Sequence, residues 1–231
     1  MRIPRDVDQW FPPDLSRAAE LQRMLAGRVV EEDALGPLRI VAGADLSYDR
    51  GERLLFAAVV AFDARTRERV ATGRHVGPVT VPYVPGFLSF REGPAVIAAL
   101  ADLGLEPDLL LCDGQGRAHP RRLGLACHLG IALDLPTIGV AKSLLVGQHR
   151  EPSPRRGAAT RLLHRGEVVG LALRTRDGVR PVYVSVGHRV SLPSARRIVL
   201  SWARPFRLPE PLRAAHREVT RMRRARVSSS P

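Results

Sequence analysis

The stretch PDLLLCDGQG, Pro107 to Gly116, holds four consecutive apolar residues, then an acid, then two glycines around a glutamine. A short apolar run bounded by Pro and Gly reads as a strand buried on both faces, with Asp113 at its carboxyl end. Ligands of open α/β sheets bind at that end of parallel strands, where glycines let backbone amides approach closely. A helix cap is the competing reading for Asp113, weakened because the next expected helix begins only near Pro120.

Working outward, Pro120 to Leu133 places Leu123, Cys127 and Ile131 on one helical stripe, and Pro136 to Ala141 is a second short buried strand. Glu167 to Arg174 and Pro181 to Val186 read as further strands, and Ser194 to Trp202 and Pro211 to Arg224 as closing helices. On the N-terminal side, Leu38 to Tyr48, Arg53 to Phe62 and Arg69 to Val79 read as three strands. The turn Asp49-Arg50-Gly51 pairs the first two as an antiparallel hairpin. The middle strand, LLFAAVVAF, is apolar on both faces, as a central strand should be. Helices are expected over Pro13 to Ala26 and over Pro94 to Leu103, with Pro94 in the first turn. An antiparallel three-strand meander followed by parallel βαβ strands predicts an α/β mixed sheet flanked by helices. We expect a single domain over residues 1–226, with an exposed excursion at Arg150 to Thr160. The end from Arg221 is expected to fray, with 227–231 a disordered tail.

The 231 residues carry 36 Lys+Arg against 23 Asp+Glu, a formal charge of +13. That excess suits a polyanionic partner, because neutralising phosphates releases their counterions. No basic amphipathic helix favours a membrane surface, and the longest apolar run, Leu54 to Phe62, falls short of the ~18 residues that span a bilayer. Two cysteines, Cys112 and Cys127, are too few for a disulfide framework and lack zinc-ligand spacing. With no apolar signal region at the N-terminus, a soluble cytoplasmic protein is expected. Lys142 is the only lysine among the 36 basic residues. Lysine and arginine do not interchange at a catalytic centre, so its retention draws notice.

In the first strand Asp45 alternates with apolar positions and sits between small neighbours. A carboxylate there is costly to desolvate unless a cation or a loop amide compensates. With Asp113 on a neighbouring strand it makes an oxygen-rich site suited to Mg²⁺. Glu92, expected just before a helix, reads either as a third carboxylate or as a helix-dipole partner. His216 is expected to face inward with Leu212 and Val219, a core position more than a ligand position. Lys142 follows a strand on the same rim and reads as a phosphate holder or a solvent-facing charge. In VPYVPG, Pro82 and Pro85 fix the backbone around Tyr83, whose ring would stack on a base or simply pack on the domain.

Together these segments resemble the endonuclease V family, deoxyinosine-directed repair nucleases with a ribonuclease H-like fold. The resemblance rests on VAGADLSYD (Val41 to Asp49), VPYVPGFLSFRE (Val81 to Glu92), PDLLLCDGQGRAHPRRLGLACHLG (Pro107 to Gly130), IGVAKSLL (Ile138 to Leu145) and VGHRVSL (Val186 to Leu192). It implies that Asp45 and Asp113 hold Mg²⁺, with Mn²⁺ able to substitute, and that Glu92, Lys142 and His216 complete the catalytic set. It implies that Tyr83, between Pro82 and Pro85, is a wedge entering DNA at the lesion. Gly86, Leu88, Gly114, Gly124 and Leu125 fall where the family forms a pocket for a flipped hypoxanthine; His119 receives no role. The implied reaction hydrolyses the second phosphodiester bond 3′ to a deaminated base, leaving 3′-hydroxyl and 5′-phosphate ends. An inosine-directed endoribonuclease and a non-catalytic binder of damaged nucleic acid are the alternatives. No obligate protein partner is implied. Gln148 to Leu163 and the basic end carry no such likeness.

Overall fold

The computed structural model describes Met1 and residues 3–228. Among these, eight strands form one sheet in the order β3-β2-β1-β4-β5-β8-β7-β6. The first three, β1 (Ile40–Tyr48), β2 (Leu54–Asp63) and β3 (Arg69–Pro78), are an antiparallel meander. Asp49 Oδ1 closes the first turn by accepting from Arg53 N and Leu54 N. The short buried strands β4 (Leu109–Cys112) and β5 (Thr137–Ala141) run parallel to β1. Beyond them β6 (Ala159–His164), β7 (Glu167–Leu173) and β8 (Val182–His188) form a second antiparallel set, so the parallel part of the sheet is its centre alone.

Helices cover both faces. On one, Ala42, Ala44, Leu110 and Cys112 pack against α2 (Leu88–Asp102) and α3 (Leu125–Leu133). On the other, Val41, Leu109, Leu111 and Val140 meet α4 (Leu192–Trp202) and α5 (Glu210–Ser228). The apolar side of α5 repeats at Leu212, Ala215 and Val219, a helical period. Gly43 on β1 lets α5 cross closely: a Cβ there would lie 2.4 Å from the Pro211 carbonyl carbon.

Several boundaries differ from expectation. α1 spans Ala18–Ala26, five residues shorter at its start. α2 begins at Leu88, so Pro94 is its seventh residue and Glu92 lies within the helix. An interior proline costs ~3 kcal/mol, but Phe90 is buried with Ala18 and Val81, and a buried backbone demands intrahelical bonds. α3 begins at Leu125, not Pro120, because Arg122 takes a left-handed φ of 60° and Gly124 is extended. Its first turn is satisfied by the loop itself, Ala126 N donating to Gln115 O. The Arg150 to Thr160 excursion ends in the unforeseen edge strand β6, and the buried Arg174 guanidinium fastens it through Pro152 O and Glu151. α5 continues through Ser228 where fraying was expected; residues 229–231 of the expected tail lie outside the described residues.

Candidate active site

The site follows from sheet register. Ala44 pairs with Cys112 across the parallel ladder, so the next residues, Asp45 and Asp113, stand side by side. Asp113 N bonds Ala44 O at 3.2 Å. Asp45 is buried, its Oδ1 accepting from Leu46 N at 2.8 Å and its Oδ2 facing His216 Nδ1 at 2.8 Å. Burial, then the charge of Asp113, pushes the Asp45 carboxyl up to about 6 against the pull of Lys142 and His216. The Lys142 ammonium forms an ion pair with Asp113 Oδ2. Although burial works against its charge, the carboxylates of Asp113 and Asp45 hold Lys142 above the usual lysine value.

Glu92 arrives on α2. Its Oε1 accepts from the Tyr48 hydroxyl at 2.8 Å, and burial together with Asp45 and Asp113 raises it to about 7 despite that bond. His216 corrects the sequence expectation: its side chain is 59 % exposed and points to Asp45, not inward beside Leu212 and Val219. Position 216 borders the apolar stripe of α5, and helical spacing alone cannot separate the stripe from its edge. Thus Asp45, Glu92, Asp113, Lys142 and His216 share one rim, from β1, α2, α5 and the turns after β4 and β5.

A cavity of about 300 Å³ opens onto this rim. Tyr83, Gly86, Leu88, Gly114, Gly124 and Leu125 line it beside Asp113 and Lys142; Pro82 and Pro85 do not. Tyr83 is 63 % exposed, so its ring projects to solvent instead of packing on the domain. A hollow of about 380 Å³ beside α1, between Pro12, Arg17 and Met24, lacks these acids.

Sequence reasoning missed the back of the cavity. Gly86 adopts a left-handed φ of 82°, open to glycine at little cost. Its carbonyl receives Gln22 Nε2 at 3.0 Å, Arg121 Nη2 at 2.7 Å and His119 Nε2 at 3.0 Å. Burial, then Arg121, lowers His119 to about 4, so the ring is neutral near pH 7. Its Nδ1 accepts from Arg121 N, which leaves Nε2 as the donor to Gly86. His119 was visible in the sequence as a histidine among glycines, but Gln22, 64 residues from Gly86, gave no local signal.

An antiparallel meander leading into parallel central strands, within one mixed sheet flanked by helices, is a ribonuclease H-like fold. The Endonuclease V family model matches residues 23–217. The chain belongs to that family, and is a nuclease accordingly. A curated endonuclease V from Roseiflexus sp. (strain RS-1) is 53 % identical over 213 residues, covering 92 % of this chain and 95 % of the relative. The crystal structure of endonuclease V from Streptomyces avermitilis superposes with a TM-score of 0.88 at 44 % identity, covering 94 % and 96 % of the two chains. Endonuclease V from Ciona intestinalis, in complex with a 24mer DNA containing an inosine followed by a ribo-adenosine, gives 0.81 at 26 % identity, covering 91 % and 98 %.

Proposed function

We propose that the protein is a DNA repair endonuclease that recognises deoxyinosine and hydrolyses the second phosphodiester bond 3′ to it in a Mg²⁺-dependent reaction. The observation that carries the reading is the adjacency of Asp45 and Asp113 at the mouth of the cavity lined by Tyr83 and Gly86. The inosine-containing DNA held by the Ciona relative supports the substrate class.

The donor set fits a hard cation. Two neighbouring carboxylates with the Asp45 value pushed up are short of positive charge, and Lys142 supplies one ammonium only. Among the described residues no group of three or more His, Cys, Asp or Glu side chains is arranged to hold an ion alone. Mg²⁺ suits this, taking one or two carboxylates and completing its shell with water and substrate phosphate. Asp45 and Asp113 would hold it, and when bound it would supply charge at the phosphate and a more acidic water. His216 orients Asp45 through Oδ2, and Lys142 holds Asp113 at the cavity, where its ammonium would meet a phosphate oxygen. Glu92, with a value near neutrality, is suited to accept or return a proton. Tyr83 projects from the cavity wall as the ring that fills the space of an extruded base.

Asp113→Asn should lower nicking of an inosine-containing duplex by at least roughly a thousandfold while leaving its binding largely intact, since affinity rests on arginine–phosphate contacts. Near-parental nicking by this variant contradicts the assignment, and unchanged EDTA-treated activity contradicts the cation. The ribo-adenosine after the inosine in the Ciona complex favours one second reading, an inosine-directed endoribonuclease. Matched DNA and RNA strands with one inosine each separate the two.

A further inference from the structure

The family match ends at residue 217, yet α5 continues to Ser228. Between Arg217 and Arg226 stand five arginines, 217, 221, 223, 224 and 226, against one acid, Glu218. Where this stretch points follows from packing. Asp45, which meets His216, pairs with Ala58; Ser47 pairs with Phe56, and Tyr48 with Leu55. Val219 packs with Phe56 and Ala58, and Leu54 and Met222 flank them. From His216 onward α5 therefore travels toward the β1–β2 hairpin, the end of β1 near which Asp45 lies. Its turn beyond Met222 extends past that hairpin, whose own Arg50 and Arg53 are exposed. Arg223, Arg224 and Arg226 are exposed as well.

We propose that the last turns of α5 form a phosphate-backbone arm that grips the nucleic acid beside the reacting segment. At 1.5 Å per residue, the ten residues from His216 to Arg226 span ~15 Å. A strand advances ~3.4 Å per nucleotide, so the arm reaches phosphates about four to five nucleotides from the site. The occupant is a polyanionic strand, by charge complementarity with an arm of five cations to one acid. The test is made on Arg223, Arg224 and Arg226, the exposed arginines of the turn beyond Met222. The inference rests on the reading that the rim takes nucleic acid.

The experiment compares the parent with Arg223→Ala/Arg224→Ala/Arg226→Ala and with the corresponding Lys triple. Alanine is the best helix former, and thermal melts confirm that α5 is kept. Binding to a duplex with one inosine is titrated in EDTA at several salt concentrations. At about 0.9 per phosphate, the slope of log K against log salt should fall by roughly two to three in the Ala triple. It should return in the Lys triple, with the single-turnover rate at saturating protein unchanged throughout. Trimming the duplex to three nucleotides on one side of the inosine should abolish the difference between parent and Ala triple. A steep parental slope shared by the Ala triple overturns the arm and leaves the proposed function standing. A parent with no salt-dependent binding overturns both.

Discussion

At the scale of single residues, Lys142 separates composition from mechanism. In a chain whose other basic residues are all arginine, a mere surface charge would tolerate Lys142→Arg. But the ammonium is ion-paired with Asp113 at the mouth of the cavity, where a planar guanidinium is broader and cannot take the same place. Lys142→Arg should therefore lower the single-turnover nicking rate at least roughly tenfold, about 1.4 kcal/mol of transition-state stabilisation, with affinity little changed. An unchanged rate removes Lys142 from the site. The two aspartates were legible because each carries a local signal, one at the end of an apolar run and one among small residues mid-strand. His216 was not, since its meeting with Asp45 spans 171 residues and depends on how closely α5 crosses Gly43.

Elements decide how firmly those side chains are held. Gly43→Ala puts a methyl group into the backbone of Pro211 and Leu212, so α5 must lift from the sheet. Overpacking costs typically ~1–3 kcal/mol, and we expect a destabilisation of that order in denaturant titrations, with nicking impaired because His216 shifts from Asp45. Parental stability would mean that the crossing is looser than described. Tyr83 is the opposite case. Tyr83→Ala should leave the melting temperature nearly unchanged, because the ring is exposed. Its discrimination for inosine over undamaged duplex should drop by ~1–3 kcal/mol, the worth of a stacked ring. A large thermal loss with intact discrimination would make the ring structural. The meander and the central strands were readable from apolar runs and turn residues. The true start of α2 was not, because its first turns are selected by burial of Phe90 against Ala18 and Val81 and not by propensity.

For the whole molecule, the raised Asp45 and Glu92 carboxyls tie stability to pH and to the cation. Both are more readily protonated folded than unfolded, so their stabilisation is fully present below the unfolded-state values near 4. It is lost as pH rises through about 6 for Asp45 and about 7 for Glu92. A divalent cation binds the charged forms and offsets that loss. Its increment in melting temperature should be several degrees larger near pH 8 than near pH 5, measured with excess Mg²⁺ against EDTA; equal increments contradict the paired-acid site. The two cysteines offer a chemical clock for the same molecule. Cys112 on β4 and Cys127 on α3 are fully buried, and burial pushes both thiols well above their usual value, which suppresses the reactive thiolate. Alkylation must wait for the layer above them to part, so its rate under native conditions reports the free energy of opening. Equal rates would mean that α3 and the central strand part as one unit, whereas faster labelling of Cys127 would show the helix peeling away first.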